Sequence, residues 1–155
     1  MKKRNGFTLI EILVVAAVLA ILFLIGLMSL NGIKEKGRDA KRINDLINLQ
    51  QAMEIIFEQS GNYQMACGGG NYVGAVSGCK GDGDEFLLDE YLNAIDAISD
   101  PLERVTACDA GCSSGQCNYA FQVIENNTFA VTFWLERNVG EFGPGCHVLT
   151  ERGIK

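Results

Sequence analysis

A single acidic residue, Glu11, lies at the start of a long uncharged run near the N-terminus. From Ile12 to Ile33 the chain carries no charge. At about 1.5 Å of rise per residue, a helix of this length can cross the roughly 30 Å hydrocarbon core of a bilayer. A carboxylate within a membrane segment costs on the order of 2.5–3.5 kcal/mol at the bilayer centre and usually marks function. Glu11 is therefore the first candidate for a functional residue, and the alternative is that its side chain snorkels to the interface.

Cysteines form the second set of reactive side chains. All six follow the apolar run, and an even count in a small exported domain predicts disulfides. Cys67 with Cys79 is the pairing that we expect, because it would close a glycine-rich loop. The placement of the cysteines also favours export of this part of the chain, with the N-terminus in the cytoplasm. The candidates are Cys67, Cys79, Cys108, Cys112, Cys117 and Cys146.

Zinc binding is the alternative role for the later cysteines. The C-x3-C-x4-C spacing is not a familiar two-pair zinc pattern, so we favour disulfides. The ligands of such a zinc site would be Cys108, Cys112 and Cys117 with Cys146 or His147.

Other patterns that could bind metal or catalyse are sparse. Asp82 and Asp84 form a D-x-D in a glycine-rich stretch and could hold calcium, but the distant Glu of an EF-hand loop is missing. We expect a solvated loop there and no resident metal or cofactor. His147 is the only histidine, and neither a nucleophile motif nor a carboxylate pair stands out. The sequence therefore predicts no catalytic residues, and the protein is not expected to be an enzyme.

Charge is segregated along the chain. Residues 1–6 and residues 34–42 each carry a net charge of +3, whereas the chain from Ile43 onward has 5 basic and 16 acidic residues. Binding to phosphate needs a surplus of positive charge, so strong direct binding of nucleic acid is not expected. Because both flanks of the apolar run are equally basic, they do not determine its orientation.

Apolar spacing predicts the elements that position these residues. Helical spacing continues beyond residue 42, and Gly61 supplies a natural stop. Later in the chain, apolar residues alternate as in strands. The predicted fold class is α+β, with a long N-terminal helix packed against a small antiparallel sheet. The predicted elements are one helix to about Ser60, a short helix from about Glu85 to Ser99, a hairpin from Tyr119 to Leu135 and a third strand from Cys146 to Thr150.

The string Lys-Lys-Arg-Asn-Gly-Phe-Thr-Leu-Ile-Glu at residues 2–11, followed by an apolar helix, resembles the N-terminus of type IV pilins and type II secretion pseudopilins. The resemblance implies that a prepilin peptidase cuts after Gly6 and methylates the new N-terminal residue, Phe7. It also implies that Glu11 acts in assembly, by pairing with the Phe7 amine of a neighbouring subunit. Many pilins carry a proline in the second half of the apolar segment, and this chain has none there.

A structural role follows from this resemblance. The precursor is expected to cross the inner membrane once with its N-terminus in the cytoplasm, and the mature chain to join an extracellular filament on the cell surface. The expected partners are identical subunits in a helical homopolymer, the prepilin peptidase and the inner-membrane assembly machinery. We expect the major pilin of a type IV pilus. The alternatives are a type II secretion pseudopilin, a minor pilin, or a membrane-anchored binding module that does not polymerise.

The same reasoning divides the chain into five segments. They are a leader at 1–6, a transmembrane and filament-core helix at 7–33, an amphipathic helix at 34–60, a glycine- and cysteine-rich loop region with a short helix at 61–118, and an antiparallel sheet at 119–155.

Overall fold

The computed structural model describes residues 7–80, 88–92 and 94–155, with the side chains of residues 25–31 left aside. The chain divides into two compact units, one that ends at Glu35 and one from Lys36 to Lys155. The first unit contains the N-terminal part of helix α1, which runs from Leu9 to Ser60. The second contains the rest of α1 and all later elements, and it holds the core.

Helix α1 has 52 residues and ends where the apolar spacing predicts. Gly61 follows it with φ of 71°, a left-handed conformation that costs glycine little, and its N–H donates to the carbonyl of Phe57 at 2.7 Å. Within the second unit, α1 buries residues three or four positions apart, so one face of the helix points into the core. These include Leu46, Leu49, Met53 and Ile56.

Five antiparallel strands form a sheet in which every strand pairs with its neighbours in sequence. The predicted hairpin and third strand are present, and a two-residue turn at Asn126 and Asn127 joins the hairpin strands. A bulge between Phe121 and Val123 interrupts the first of them. The strands are β1 (Gly74–Ala75), β2 (Ala120–Glu125), β3 (Thr128–Leu135), β4 (Gly145–Thr150) and β5 (Gly153–Ile154).

Both faces of the sheet carry buried residues. Alternate β3 side chains, among them Phe129 and Phe133, share one buried cluster with the core-facing residues of α1. On the opposite face, Ala120 and Trp134 pack with four of the six cysteines. The fold is therefore the predicted α+β arrangement of a long helix and a small antiparallel sheet, with a cysteine-rich loop on the second face of the sheet.

The short helix predicted from Glu85 to Ser99 is not continuous. The structure has one α-helical turn, α2 (Leu88–Tyr91), and a 3-10 turn at Ile95–Ala97, while residues 81–87 and 93 lie outside the described residues. Ala94 has φ of 65°, which a right-handed helix cannot accommodate. The apolar spacing nevertheless identified residues that are buried, namely Leu88, Leu92, Ile95 and Ile98.

Membrane crossing was predicted for residues 7–33. In the part of the chain that the structure describes, no helix is both long enough and apolar enough to span a bilayer. The segment boundaries expected from the sequence, including this one, stay predictions.

Candidate functional site

The first turn of α1 holds the carboxylate of Glu11 in a fixed position. The backbone N–H and the hydroxyl of Thr8 both donate to Glu11 Oε2 at 2.8 Å. In return, the Glu11 N–H points at the Thr8 hydroxyl oxygen at 3.4 Å. This reciprocal arrangement is a capping box, which satisfies backbone donors that a helix N-terminus leaves unpaired. Thr8 was not singled out from the sequence, although its T-x-x-E spacing to Glu11 is the signature of this motif.

An exposed apolar surface begins beside this carboxylate. The large apolar side chains from Phe7 to Leu24 are more than half exposed, from 51% at Val18 to 85% at Phe7. Phe7 and Glu11 both line a shallow cleft along the helix, so the structure brings these two predicted site residues together. Gly6 lies outside the described residues. Apolar surface of this extent usually marks an interaction site. The cleft is completed by Ile12, Val15, Ala16 and Leu19.

A buried ion cluster lies in the second unit, centred on Arg42. The Arg42 side chain is fully buried, and its Nε donates to Asp100 Oδ2 at 2.7 Å. Its Nη1 donates to Asp39 Oδ1 at 2.7 Å and to Glu136 Oε1 at 2.6 Å. Burial by itself lowers the pKa of Arg42, but hydrogen bonds to the three carboxylates outweigh burial and raise it. Arg42 therefore stays charged and joins three parts of the chain.

Asp39 and Glu136 connect this cluster to the end of β3. Arg38 binds the Glu136 carboxylate at both oxygens. Its Nε donates to Oε1 at 2.7 Å, and its Nη2 donates to Oε2. Hydrogen bonds from Arg38, together with Arg42, lower the pKa of Glu136 to about 2. Asp39 accepts the backbone N–H groups of Glu136 and Arg137 at 3.0 and 2.9 Å. Two arginines of the basic stretch 34–42 are thus bound within the second unit.

The six cysteines are paired as Cys67–Cys79, Cys108–Cys117 and Cys112–Cys146. The first pair is the one that the sequence favours. The sulfurs of Cys108, Cys112 and Cys117 lie within 4.8 Å of one another, as a metal site would require. Sulfur atoms in disulfides are not available as thiolate ligands, so the zinc alternative does not fit this arrangement.

The other metal candidates from the sequence are His147, Asp82 and Asp84. Nε2 of His147 is 2.7 Å from the carbonyl oxygen of Gly143, and its ring packs beside Phe133 and Phe142. Asp82 and Asp84, the candidates for calcium, lie outside the described residues.

Helix α1 begins with a capped turn and an apolar surface, and its second half belongs to the helix-and-sheet unit from Lys36 to Lys155. Residues 1–27 match the prokaryotic N-terminal methylation motif. The resemblance to the family of type IV pilins and type II secretion pseudopilins, expected from residues 2–11, is thereby confirmed.

Two similar relatives are both named type II secretion system core protein G. The protein of Vibrio cholerae serotype O1 is 38% identical over 55 residues, which is 36% of this chain and 38% of that protein. The protein of Aeromonas hydrophila is 35% identical over 54 residues, or 35% of this chain and 38% of that protein. The chain thus spans about 38% of the length of these relatives. No solved structure matches the chain significantly. These relatives fit the pseudopilin alternative better than the expected major pilin of a type IV pilus.

Proposed function

We propose that this chain is a pseudopilin, the structural subunit of a type II secretion filament. It is stored as a membrane precursor, cut after Gly6, methylated at Phe7 and polymerised through its N-terminal helix. The observation that carries this proposal is the exposed apolar surface of α1, which begins at a carboxylate already fixed by Thr8. The relatives support a secretion filament over a surface pilus, so the preference drawn from the sequence is revised.

Glu11 is suited to pair with the amine of another subunit. Cleavage after Gly6 would create a free amine on Phe7, on the same cleft as Glu11. Both hydrogen bonds from Thr8 end on Oε2, so Oε1 can accept from the amine of a neighbouring subunit. A shielded pair of this kind offsets part of the desolvation cost of both charges, whereas an unpaired buried charge is strongly unfavourable. Pairing therefore fixes the axial position of each added subunit.

In the filament, the exposed apolar surface of each α1 helix is buried against neighbouring copies of α1. Each square ångström of apolar surface removed from water contributes about 25 cal/mol, and packed helices approach to about 8–10 Å. The expected partners are thus identical subunits, with the prepilin peptidase and an inner-membrane assembly machinery acting before them. The three disulfides suit an exported C-terminal part in an oxidising compartment, with the precursor's N-terminus in the cytoplasm.

Intact mass under non-reducing conditions tests the processing. We expect residues 7–155 plus one methyl group and minus six hydrogens. A Gly6→Val variant should keep its leader, and Asn5→Ala is the matched control that should still be cut. A full-length mass for the wild-type chain would contradict the proposal and favour a membrane-anchored module that does not polymerise.

Deletion of the gene in its own host distinguishes the two filament types. A pseudopilin deletion should stop protein secretion into the medium and leave surface pili in place. Re-expression of the wild-type chain should restore secretion. Loss of surface pili with secretion intact would instead assign the chain to a type IV pilus.

A further inference from the structure

We propose that Cys146 is a site at which a low-molecular-weight thiol forms a mixed disulfide, and that the three sulfurs beside it then exchange their bonds. The four cysteines concerned, called the sulfur cluster, are Cys108, Cys112, Cys117 and Cys146. All four belong to the second unit, and the inference does not depend on the proposed role as a filament subunit.

Cys146 is the member of the sulfur cluster that a thiol can reach. It is partly exposed at the start of β4. The other three members are at most 3% exposed. The rate of thiol–disulfide exchange depends on access and on which of the two sulfurs is attacked. Attack is therefore expected at Cys146, and its bonded partner Cys112 is the sulfur that leaves.

The sulfur released by this attack lies beside a second disulfide. The Sγ atoms of Cys108, Cys112 and Cys117 lie within 4.8 Å of one another, and Cys108 is bonded to Cys117. Reacting groups that are held this close react as in a unimolecular step, without the entropy cost of an encounter. Once freed, Cys112 therefore has a second disulfide to attack, besides its original partner.

The turn that carries Cys112 does not depend on the bond to Cys146. The carboxylate of Asp109 accepts the backbone N–H groups of Gly111 and Ser113 at 3.2 and 2.8 Å. The N–H of Cys112 donates to the carbonyl of Asp109 at 3.1 Å. All of these hydrogen bonds lie within one loop, so they keep Cys112 in place after Cys146 has been detached.

The second disulfide is also held in place, by the sheet. Gln122 of β2 donates from Nε2 to the carbonyl of Cys108 at 2.6 Å. The N–H of Cys108 donates to the carbonyl of Asn118 at 2.9 Å. Both reacting groups are therefore fixed by contacts that the attack on Cys146 leaves intact.

Both steps balance without an oxidant. In the first step, the sulfur of the thiolate bonds to Sγ of Cys146, the bond between Cys146 and Cys112 breaks, and Cys112 leaves with the electron pair. In the second step, Cys112 bonds to Cys108 or Cys117, the bond between those two breaks, and the displaced sulfur leaves as a thiolate that takes a proton from water. The product keeps one disulfide within the loop, but no covalent bond joins the loop to β4.

The Cys67–Cys79 disulfide is a matched internal control. It also has one partly exposed member, Cys67, and one fully buried member, Cys79. These two cysteines pack with the core on the helix side of the sheet, whereas the sulfur cluster lies on the opposite face. A thiol that attacks Cys67 therefore releases a sulfur that has no second disulfide beside it among the described residues.

Peptide mapping of the full-length chain after brief treatment with reduced glutathione tests the inference. The reaction is stopped in acid, where thiols are protonated and exchange is slow, and free thiols are alkylated before digestion with pepsin. We expect glutathione on Cys146, with an alkylated Cys108 or Cys117 in at least about one third of those molecules. Molecules that carry glutathione on Cys67 should be alkylated at Cys79 alone.

A double variant, Cys108→Ser with Cys117→Ser, checks that the thiol migrates through the second disulfide. In this variant glutathione should still add to Cys146, and alkylation should be confined to Cys112. Alkylation confined to Cys112 in the wild-type chain would overturn the exchange. Glutathione on a buried cysteine, with Cys146 unmodified, would overturn the site. The wild-type chain starts from its native pairing, so these two results do not depend on the folding of a variant.

Discussion

Arg42 and Asp100 form an ion pair, Nε to Oδ2 at 2.7 Å, with side chains 0% and 1% exposed. Asp39 and Glu136 bind the same guanidinium, so removal of Arg42 leaves three carboxylates without their shared partner. Breaking a buried pair in this way costs about 3–5 kcal/mol. We therefore expect Arg42→Met to lower the free energy of unfolding of a fragment spanning residues 36–155 by that amount, measured by urea denaturation.

The matched control for Arg42 is Arg152→Met. Arg152 has a side chain that is 79% exposed, so its loss should change the free energy of unfolding by no more than about 0.5 kcal/mol. Equal effects of the two substitutions would contradict a structural role for the cluster.

Glu136 should make stability depend on pH in the acid range. Its folded-state pKa of about 2 lies below the ordinary value of 4.5, so its carboxylate contributes stability that is fully present above pH 4.5. That contribution is lost as the pH falls from 4.5 towards 2. We expect Glu136→Gln to destabilise the fragment at pH 7 and to flatten the fall in stability between pH 4.5 and 3. Glu141→Gln, at an exposed position, should keep the wild-type profile.

The disulfides should differ in how much they stabilise the fold. Cys112–Cys146 joins residues 34 apart in sequence, whereas Cys67–Cys79 joins residues 12 apart. Loop-closure entropy predicts about 4 kcal/mol for the longer loop and about 3 kcal/mol for the shorter one. The double variant Cys112→Ala, Cys146→Ala should therefore unfold at lower urea than Cys67→Ala, Cys79→Ala. The reverse order would show that strain or packing outweighs chain entropy.

Two substitutions at Glu11 separate its charge from its capping role. Glu11→Gln keeps an acceptor for the Thr8 donors, because glutamine also completes a capping box, but it removes the charge. We expect Glu11→Gln and Glu11→Ala both to be cleaved normally and to yield almost no filament. Thr8→Val should weaken the start of the helix by about 1 kcal/mol, and Thr8→Ser should not. Wild-type filament yield from Glu11→Gln would exclude the proposed pairing with an amine.

The sequence predicted those elements whose apolar residues recur at a regular spacing over many positions. The 52-residue α1 and the strands around Asn126 and Asn127 are of this kind. Strands β1 and β5 have two residues each, which is too short to show a period. The break at Ala94 depends on a backbone conformation that the apolar spacing does not encode.

The ion cluster shows a different limit of sequence reasoning. Asp39 and Arg42 lie in a stretch whose net positive charge indicates a membrane flank, and that reasoning treats each charge as exposed. Their partners Asp100 and Glu136 are 58 and 94 residues away from Arg42. Only the fold brings these charges together, so no local pattern could have predicted their burial.

The cluster also determines where a pulling force on α1 is transmitted. Aliphatic side chains alone would let a helix slip along a sheet, because such contacts are not directional. Asp39 instead accepts hydrogen bonds from two backbone N–H groups just beyond β3. Arg42 donates to the Glu136 carboxylate at the same end of the strand. These bonds are satisfied in a single register, so α1 cannot advance by one turn without breaking all of them. Tension applied along the helix is therefore carried into the hydrogen-bonded strands as shear, and the second unit resists it as one body.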